Sequence, residues 1–183
     1  YTYGGARRTI AIKPAHGVDA LYAPRRTLLD PLLAEAARAA GAGVVHRARV
    51  TALLWERGRV AGVRTTGPQG ARDVRARLVV GADGTGSFVA RRASAPVTHR
   101  ARWHSAVTYG YWSDLPTDGY EWAFASDACA GAIPTGDGLV CVFAGATPAR
   151  IGRGGVGTIR SVVAEADPDL ADRLDRARAP GST

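Results

Sequence analysis

The spacing of hydrophobic and polar positions changes character twice along the chain. Over residues 1 to about 20 there is little periodicity, and Gly4, Gly5, Pro14 and Gly17 predict a loop or an irregular strand. From Thr27 the pattern is helical. Thr27 is followed three places later by Asp30, and Pro31 falls in the first turn where its missing N–H costs least. That is a helix start of capping-box type with the shorter acid. Leu29, Leu32, Leu33, Ala36 and Ala40 then recur at helical spacing, with Asp30, Glu35 and Arg38 outward, until Gly41. One face of this helix is apolar and is expected to pack on another element.

After Gly41 the period drops toward two. Short runs at Val44 to His46, Val50 to Trp55, Val60 to Thr65 and Val74 to Val80, with turns at Arg57-Gly58 and Gly67 to Gly70, predict an antiparallel meander. The last run ends in Leu78-Val79-Val80, apolar on successive residues as in a strand buried on both faces, and stops at Gly81-Ala82-Asp83-Gly84. Ser87 to Arg92 can begin a short helix. From about Val97 the pattern is aromatic and alternating. Val107, Tyr109 and Tyr111 share one face, as do Tyr120, Trp122 and Phe124, and Leu139 to Phe143 follows the turn Thr135 to Gly138. This predicts a second sheet, separate from the first. A glycine-rich loop, Gly152 to Gly157, leads to a final amphipathic helix through Ile159, Val162 and Val163 and on toward Leu170 and Leu174, with a frayed tail at 179 to 183.

Composition narrows the options. The 183 residues, 46% apolar and 22% charged, suit one globular domain and exclude wholesale disorder. No apolar run approaches the roughly 18 residues of a membrane span, and no charged-then-apolar secretory signal opens the chain, so the expectation is a soluble, cytoplasmic protein. With no methionine and Tyr1 at its start, the sequence reads as a fragment. The net charge of +8 comes almost wholly from arginine, Lys13 being the one lysine. Arginine, alanine, glycine and valine together point to GC-rich coding. The basic residues are scattered rather than gathered with aromatics, so nucleic-acid binding is not expected. Cys129 and Cys141 read as small apolar residues in a reducing compartment. The four histidines share no ligand spacing, so no metal is expected.

Asp83-Gly84 is the candidate site. A buried strand that stops at Asp-Gly and feeds a helix places a carboxylate at the end of a sheet, where open α/β folds bind ligands. Gly84 permits close backbone approach, and Ser87 opens a helix whose N–H groups suit a phosphate. The plain alternative is a common Asp-Gly turn.

Context weighs for the first reading. The stretch Arg77 to Arg91, RLVVGADGTGSFVAR, resembles the Asp-Gly motif of FAD-dependent monooxygenases of the aromatic-hydroxylase type. Ala23 to Asp30 with the alanine-rich helix and Gly41 to Val44 resembles the arginine-led helix of that family. Asp118 to Trp122 with Ile133-Pro134-Thr135 and the Gly-Asp-Gly hairpin is similar to the sheet of its substrate domain. The order and spacing of these pieces carry the resemblance across most of residues 20 to 145.

The resemblance implies a mixed α/β fold, in which residues 1–96 form part of a Rossmann-like FAD-binding domain with a β-meander. Residues 97–183 would form part of a β-sheet substrate domain. It implies that Asp83 and Gly84 contact the ribose and pyrophosphate region of FAD. Ser87 would stand at the adjoining helix start, and Arg26, with Arg25 second, would face the phosphates. Val50 would have its backbone beside the adenine, and Arg91 would take the role of the motif's arginine one place late. The aromatic faces, Tyr109, Tyr111, Trp122 and Phe124, with Pro134, would line a pocket for a flat or greasy substrate. The implied activity is NAD(P)H-dependent monooxygenation by dioxygen through a flavin hydroperoxide, on a small aromatic or olefinic substrate. Halogenases and isoprenoid double-bond reductases share the architecture, and a non-catalytic module retaining the fold is the alternative from another class. The family's opening Gly-x-Gly-x-x-Gly and closing Gly-Asp motifs are not in these residues; Gly152 to Gly155 follows no buried strand.

Overall fold

In the computed structural model, which describes residues 1–181, the elements follow one another as β1 (Thr2–Tyr3), β2 (Ala6–Arg7), α1 (Arg26–Ala39), β3 (Arg49–Glu56), β4 (Arg59–Gly67), β5 (Gly70–Arg75), α2 (Phe88–Arg92), β6 (Ala106–Trp112), β7 (Glu121–Phe124), β8 (Cys129–Pro134), β9 (Val140–Ala146), α3 (Pro148–Ile151), α4 (Val156–Ala166) and α5 (Pro168–Arg176). They form a mixed α/β arrangement with two sheets, ordered β2-β1-β7-β8-β9-β6 and β3-β4-β5. The chain separates into two compact units, Tyr1–Leu32 with Ala101–Thr183, and Leu33–Arg100.

The six-stranded sheet has two chemically distinct faces, and strand register assigns them. Tyr109 stands opposite Phe143, which stands opposite Gly131, which stands opposite Trp122. Paired residues share a face, so this row is aromatic. The adjacent row, Thr108, Ala144, Ala130 and Ala123, points the other way and is small. The small row lets α4 lie close against the sheet and bury Ile159, Val162, Val163 and Ala166. From α5, Leu170 and Leu174 join the same core with Trp112 and Val142, each aliphatic side chain contributing about 1.5–3 kcal/mol by leaving water.

The single helix expected after residue 155 is two helices. Asp167 and Pro168 separate them, because Pro168 has no N–H to continue α4 and suits the first turn of α5. The buried Asp167 carboxylate caps that turn, accepting from Leu170 N at 3.1 Å. Of the expected frayed tail at 179–183, Ala179 packs against this core, and the last two residues lie outside the described ones.

The first 20 residues hold more order than their sequence suggests. Thr2 and Tyr3 pair in parallel with Ala123 and Phe124, extending the large sheet. The other unit is the meander: β3 pairs with β4 across the Arg57-Gly58 turn, where both residues take positive φ, and β4 pairs with β5. Gly62 is required by contact, since a Cβ there would run into the Val74 carbonyl.

Four sequence expectations are corrected. Val44 to His46 forms no strand. Leu78 to Val80 forms no ladder, and Leu78 and Val80 are 76% and 75% exposed, because no described strand pairs with them. The helix α1 starts at Arg26, so Thr27 lies inside it, and Asp30 is taken by Arg26 rather than by a backbone amide. Its apolar face is not buried: Leu28, Leu32 and Leu33 stay exposed.

Candidate functional site

The Asp83 turn lies in the Leu33–Arg100 unit. One carboxylate oxygen of Asp83 accepts from Ser87 Oγ at 2.5 Å, and the other from the amides of Phe88 at 2.7 Å and Val89 at 3.2 Å. Ser87 Oγ accepts in turn from Ala90 N at 2.9 Å, making Ser87 the N-cap of α2. The Ser87 hydroxyl and the Val89 and Phe88 amides hold the Asp83 carboxyl below the usual carboxylate range, against a smaller opposing effect of desolvation. Asp83 is therefore the staple of its own turn, and its acceptor capacity is largely used.

What the turn leaves open is backbone. Gly84 sits at φ +82°, a conformation that suits glycine, and a Cβ on it would meet nothing within 4 Å. The Gly84 carbonyl accepts from Ser87 N, while the N–H groups of Thr85 and Gly86 make no hydrogen bond among the described residues. Arg91 folds back so that its guanidinium donates to the Gly86 carbonyl. Val50 is half-buried in β3 opposite Thr65.

The two arginines that lead α1 lie in the larger unit and are both engaged. Arg26 Nε donates to Asp30 at 2.5 Å from a side chain that is 83% exposed. Arg25 pairs with Asp137 at the tip of the β8–β9 hairpin, and its guanidinium lies 5.9 Å from the centre of the Tyr111 ring. Sequence reasoning preferred Arg26 for an anion. The structure gives Arg25 the more sheltered place.

Four of the five residues expected to line a substrate pocket share the open face of the large sheet. Tyr109 and Tyr111 meet edge to face with centroids 6.0 Å apart, and Trp122 and Phe124 lie on the same face three strand pairings away. Pro134 is opposite Val140, which stands opposite Trp112, so it belongs by register to the helix-covered face. Pro134 and Trp122 nevertheless line one cavity of about 640 Å³ at the start of β7.

That cavity's other wall, formed by Tyr1, Ile10, Ile12 and Leu21, is one for which no function was expected. Tyr1 meets Trp122 edge-on at 5.2 Å. The alternation of Tyr1 and Tyr3, matching that of Trp122 and Phe124, was the available signal. Glu121 also lines the cavity, but its carboxylate is held by Arg173 and Arg7. Burial pushes the Tyr111 and Tyr120 hydroxyls and the Cys141 thiol up, so these groups stay protonated at neutral pH. Among the described residues no cluster of His, Cys, Asp or Glu could hold a metal ion, and no helix is long and apolar enough to cross a membrane.

A family model described as "FAD binding domain" matches residues 5–130, more than half of the chain and including both the Asp83 turn and the start of the aromatic sheet. The chain belongs to this FAD binding domain family. Among curated proteins, digeranylgeranylglycerophospholipid reductase 2 of Methanothermobacter thermautotrophicus is 39% identical over 72 residues, 39% of this chain and 19% of that protein. A solved geranylgeranyl bacteriochlorophyll reductase-like protein from Thermoplasma acidophilum is similar at TM-score 0.63 and 25% identity, over 82% of this chain and 39% of that one. A triple mutant of the flavin-dependent brominase Bmp2 is similar at TM-score 0.75 and 15% identity, over 86% of this chain and 43% of that one, a likeness of fold. The chain thus spans about two fifths of the solved relatives and a smaller part of the curated one.

The Asp83 turn fits what an FAD binding domain needs. Free N–H groups at Thr85 and Gly86, beside a glycine with open space around its Cα, suit a phosphate or ribose oxygen. The family membership expected from the Asp-Gly stretch is met, with the open chemistry of the turn lying in its backbone rather than in the Asp83 carboxylate.

Proposed function

We propose that this FAD binding domain is part of an FAD-dependent oxidoreductase, and that the enzyme is a monooxygenase using NAD(P)H and dioxygen on a small aromatic or olefinic substrate. The observation that carries the reading is the Gly84 to Gly86 turn, with two free amides in a chain of this family. In this reading the cofactor contacts come from within residues 1–96: Asp83 fixes the turn, Gly84 admits the cofactor's polar chain, and Ser87 and Arg91 brace the turn from behind. Arg25 and Arg26 offer positive charge to the phosphates, and the Val50 backbone stands by the adenine. Substrate contacts come from within residues 97–183, on Tyr109, Tyr111, Trp122 and Phe124, with Pro134 at the edge and the N-terminal strands completing that side.

FAD supplies the redox chemistry when bound. The protein's own part on the substrate side is apolar: the aromatic face excludes water and orients a flat substrate, and the Tyr111 hydroxyl and Cys141 thiol, kept protonated by burial, exchange no protons at neutral pH. A second reading, reduction of an isoprenoid double bond, is favoured by the 39% identity to the reductase from Methanothermobacter. We place the enzyme in the cytoplasm.

The test is full-length protein purified without added flavin. It is expected to be yellow, to release FAD on denaturation, and to lose FAD affinity at least tenfold on Gly84→Ala, which puts a Cβ where φ is positive. A colourless protein that takes up no FAD, or a Gly84→Ala variant with unchanged affinity, would overturn the proposal. Oxygen consumption coupled to NADH or NADPH oxidation separates the monooxygenase from the reductase, whose turnover proceeds anaerobically.

A further inference from the structure

The net charge of +8 is carried by one of the two units. Leu33–Arg100 holds twelve basic residues and four acidic ones, and the larger unit holds twelve of each. Arginine-rich coding adds cations to both alike, so what sets the smaller unit apart is its lack of acids. Three of its four acids are matched, Glu35 with Arg38, Glu56 with Arg75 and Asp73 with Arg64, and Asp83 is held by Ser87 and backbone amides. The excess positive charge has no counterpart within the unit.

The meander gathers part of it at one end. Arg57 and Gly58 make the β3–β4 turn, and register sets Glu56 opposite Arg59 and Trp55 opposite Val60. The end of β5 lies beside this turn: Arg75 reaches Glu56 at 3.8 Å, and Arg59 donates to the Arg77 carbonyl at 3.0 Å. Arg57, Arg59, Arg75 and Arg77 are all exposed and meet one acid there, because Asp73, farther back along β5, is taken by a two-pronged bond from Arg64. Trp55 stands in the same group with 53% of its surface exposed. An indole ring among arginines is the combination that suits a lipid headgroup layer, where the ring sits at the apolar boundary and guanidinium groups bind phosphate oxygens in pairs. A turn is convex, so it enters a soft headgroup layer but offers no groove for a nucleic-acid strand to follow. An acidic protein would need a hollow shaped for Trp55, whereas lipid needs none.

We propose that the β3–β4 end of the meander docks on an anionic lipid surface, with Trp55 entering the headgroup layer and Arg57, Arg59, Arg75 and Arg77 meeting lipid phosphates. Each arginine near the surface adds to the attraction, and the field it feels falls off within about 8 Å at physiological salt. The contact is therefore reversible and salt-sensitive. It stands apart from the flavin reading, since no residue of the Asp83 turn or of the aromatic sheet takes part.

The experiment is co-sedimentation of the 183-residue chain, without flavin, with vesicles of phosphatidylcholine alone or with about 30% phosphatidylglycerol added. Binding to the anionic vesicles is expected to be at least tenfold stronger in about 0.1 M salt and to be lost near about 0.5 M. Arg57→Asn combined with Arg77→Gln should weaken it about tenfold, asparagine being at ease with the positive φ of position 57. Trp55→Thr should weaken it several-fold and leave the salt dependence unchanged. Arg102→Gln combined with Arg153→Gln removes the same charge from exposed positions of the larger unit and should change binding by less than about twofold, with circular dichroism retained in every variant. Equal binding to the two kinds of vesicle, or a loss as large from the Arg102 and Arg153 pair as from the Arg57 and Arg77 pair, would overturn the proposal. So would oligothymidylate or polyglutamate bound at a lower concentration of charge than the anionic vesicles.

Discussion

Replacing Glu121 by glutamine takes one charge out of the polar cluster that ties α5 to β7. Arg173 donates to both carboxylate oxygens, at 2.9 and 2.5 Å, and Arg7 adds a contact at 3.2 Å. The Glu121 side chain is only 11% exposed, Arg173 24% and Arg7 58%. A charge-assisted hydrogen bond contributes roughly 1.5–3 kcal/mol, and the more exposed Arg7 contact well under about 1 kcal/mol. Glutamine keeps one acceptor and turns an NH₂ toward the guanidinium, so Glu121→Gln is expected to cost about 2 kcal/mol. With a urea m-value of roughly 2 kcal/mol/M, the midpoint falls by about 1 M.

The pH dependence follows from the sign of the shift. Burial pushes the Glu121 carboxyl up, but the hydrogen bonds of Arg173 and Thr117, with the charges of Arg173 and Arg7, outweigh it and hold it below the usual range. A depressed carboxyl contributes stability above the unfolded value of about 4.3, and loses it as pH falls through the folded value. Wild type and variant should therefore differ fully at pH 7 and converge in acid. The assay is urea unfolding followed by tryptophan fluorescence at both pH values, completed to a double-mutant cycle with Arg173→Gln. A coupling energy below about 0.3 kcal/mol, or a difference that persists in acid, would refute the reasoning.

Three other outcomes are expected. Gly131→Ala should destabilise the larger unit by about 1–3 kcal/mol or more, because its Cβ would meet the Glu121 carbonyl, Phe143 and Trp122; Gly136→Ala, with open space around it, should stay within about 0.5 kcal/mol in the same melt. Asp167→Ala should cost about 1–2 kcal/mol by uncapping α5, and circular dichroism should show the helix loss. Asp83→Ala should speed hydrogen exchange at the Phe88 and Val89 amides while leaving the meander protected. In the unsubstituted protein the same amides should lose protection as pH falls through the depressed Asp83 value.

The parts of the fold that were legible in the sequence are those whose signal is local. Arg57-Gly58 fixes a tight turn by its backbone preferences alone, and the alternation at Tyr109 and Tyr111 fixes a face. Ser87 announces a cap whatever surrounds it. What was not legible depends on partners far along the chain. Leu78 to Val80 has the composition of a central strand, yet a strand exists only where another pairs with it. Tyr1 to Tyr3 is too short to register as a strand and becomes one through Ala123 and Phe124. At the site, the Asp-Gly pair was visible, but the self-satisfaction of Asp83 was not, because it needs the exact path of the next five residues. The buried side-chain atoms that find no hydrogen-bond partner, Trp112 Nε1, Tyr120 Oη and Trp122 Nε1, could not be found from sequence at all, since burial without a partner is a property of three dimensions.

The parallel pairing of Tyr3 with Phe124 has a kinetic consequence. Strands β6 to β9 lie close in sequence and can assemble as soon as they exist, with α4 and α5 closing over them. The N-terminal strands must wait for a contact spanning roughly 120 residues. During synthesis from the amino end they are made before the strands they join and are among the last of these to find their edge, and the meander between them is complete long before. The edge of β7 therefore stays unpaired through the early life of the chain. A late, slow step that reports on Tyr1 against Trp122, distinct from the burial of Trp112 in the core, is the folding signature this topology requires.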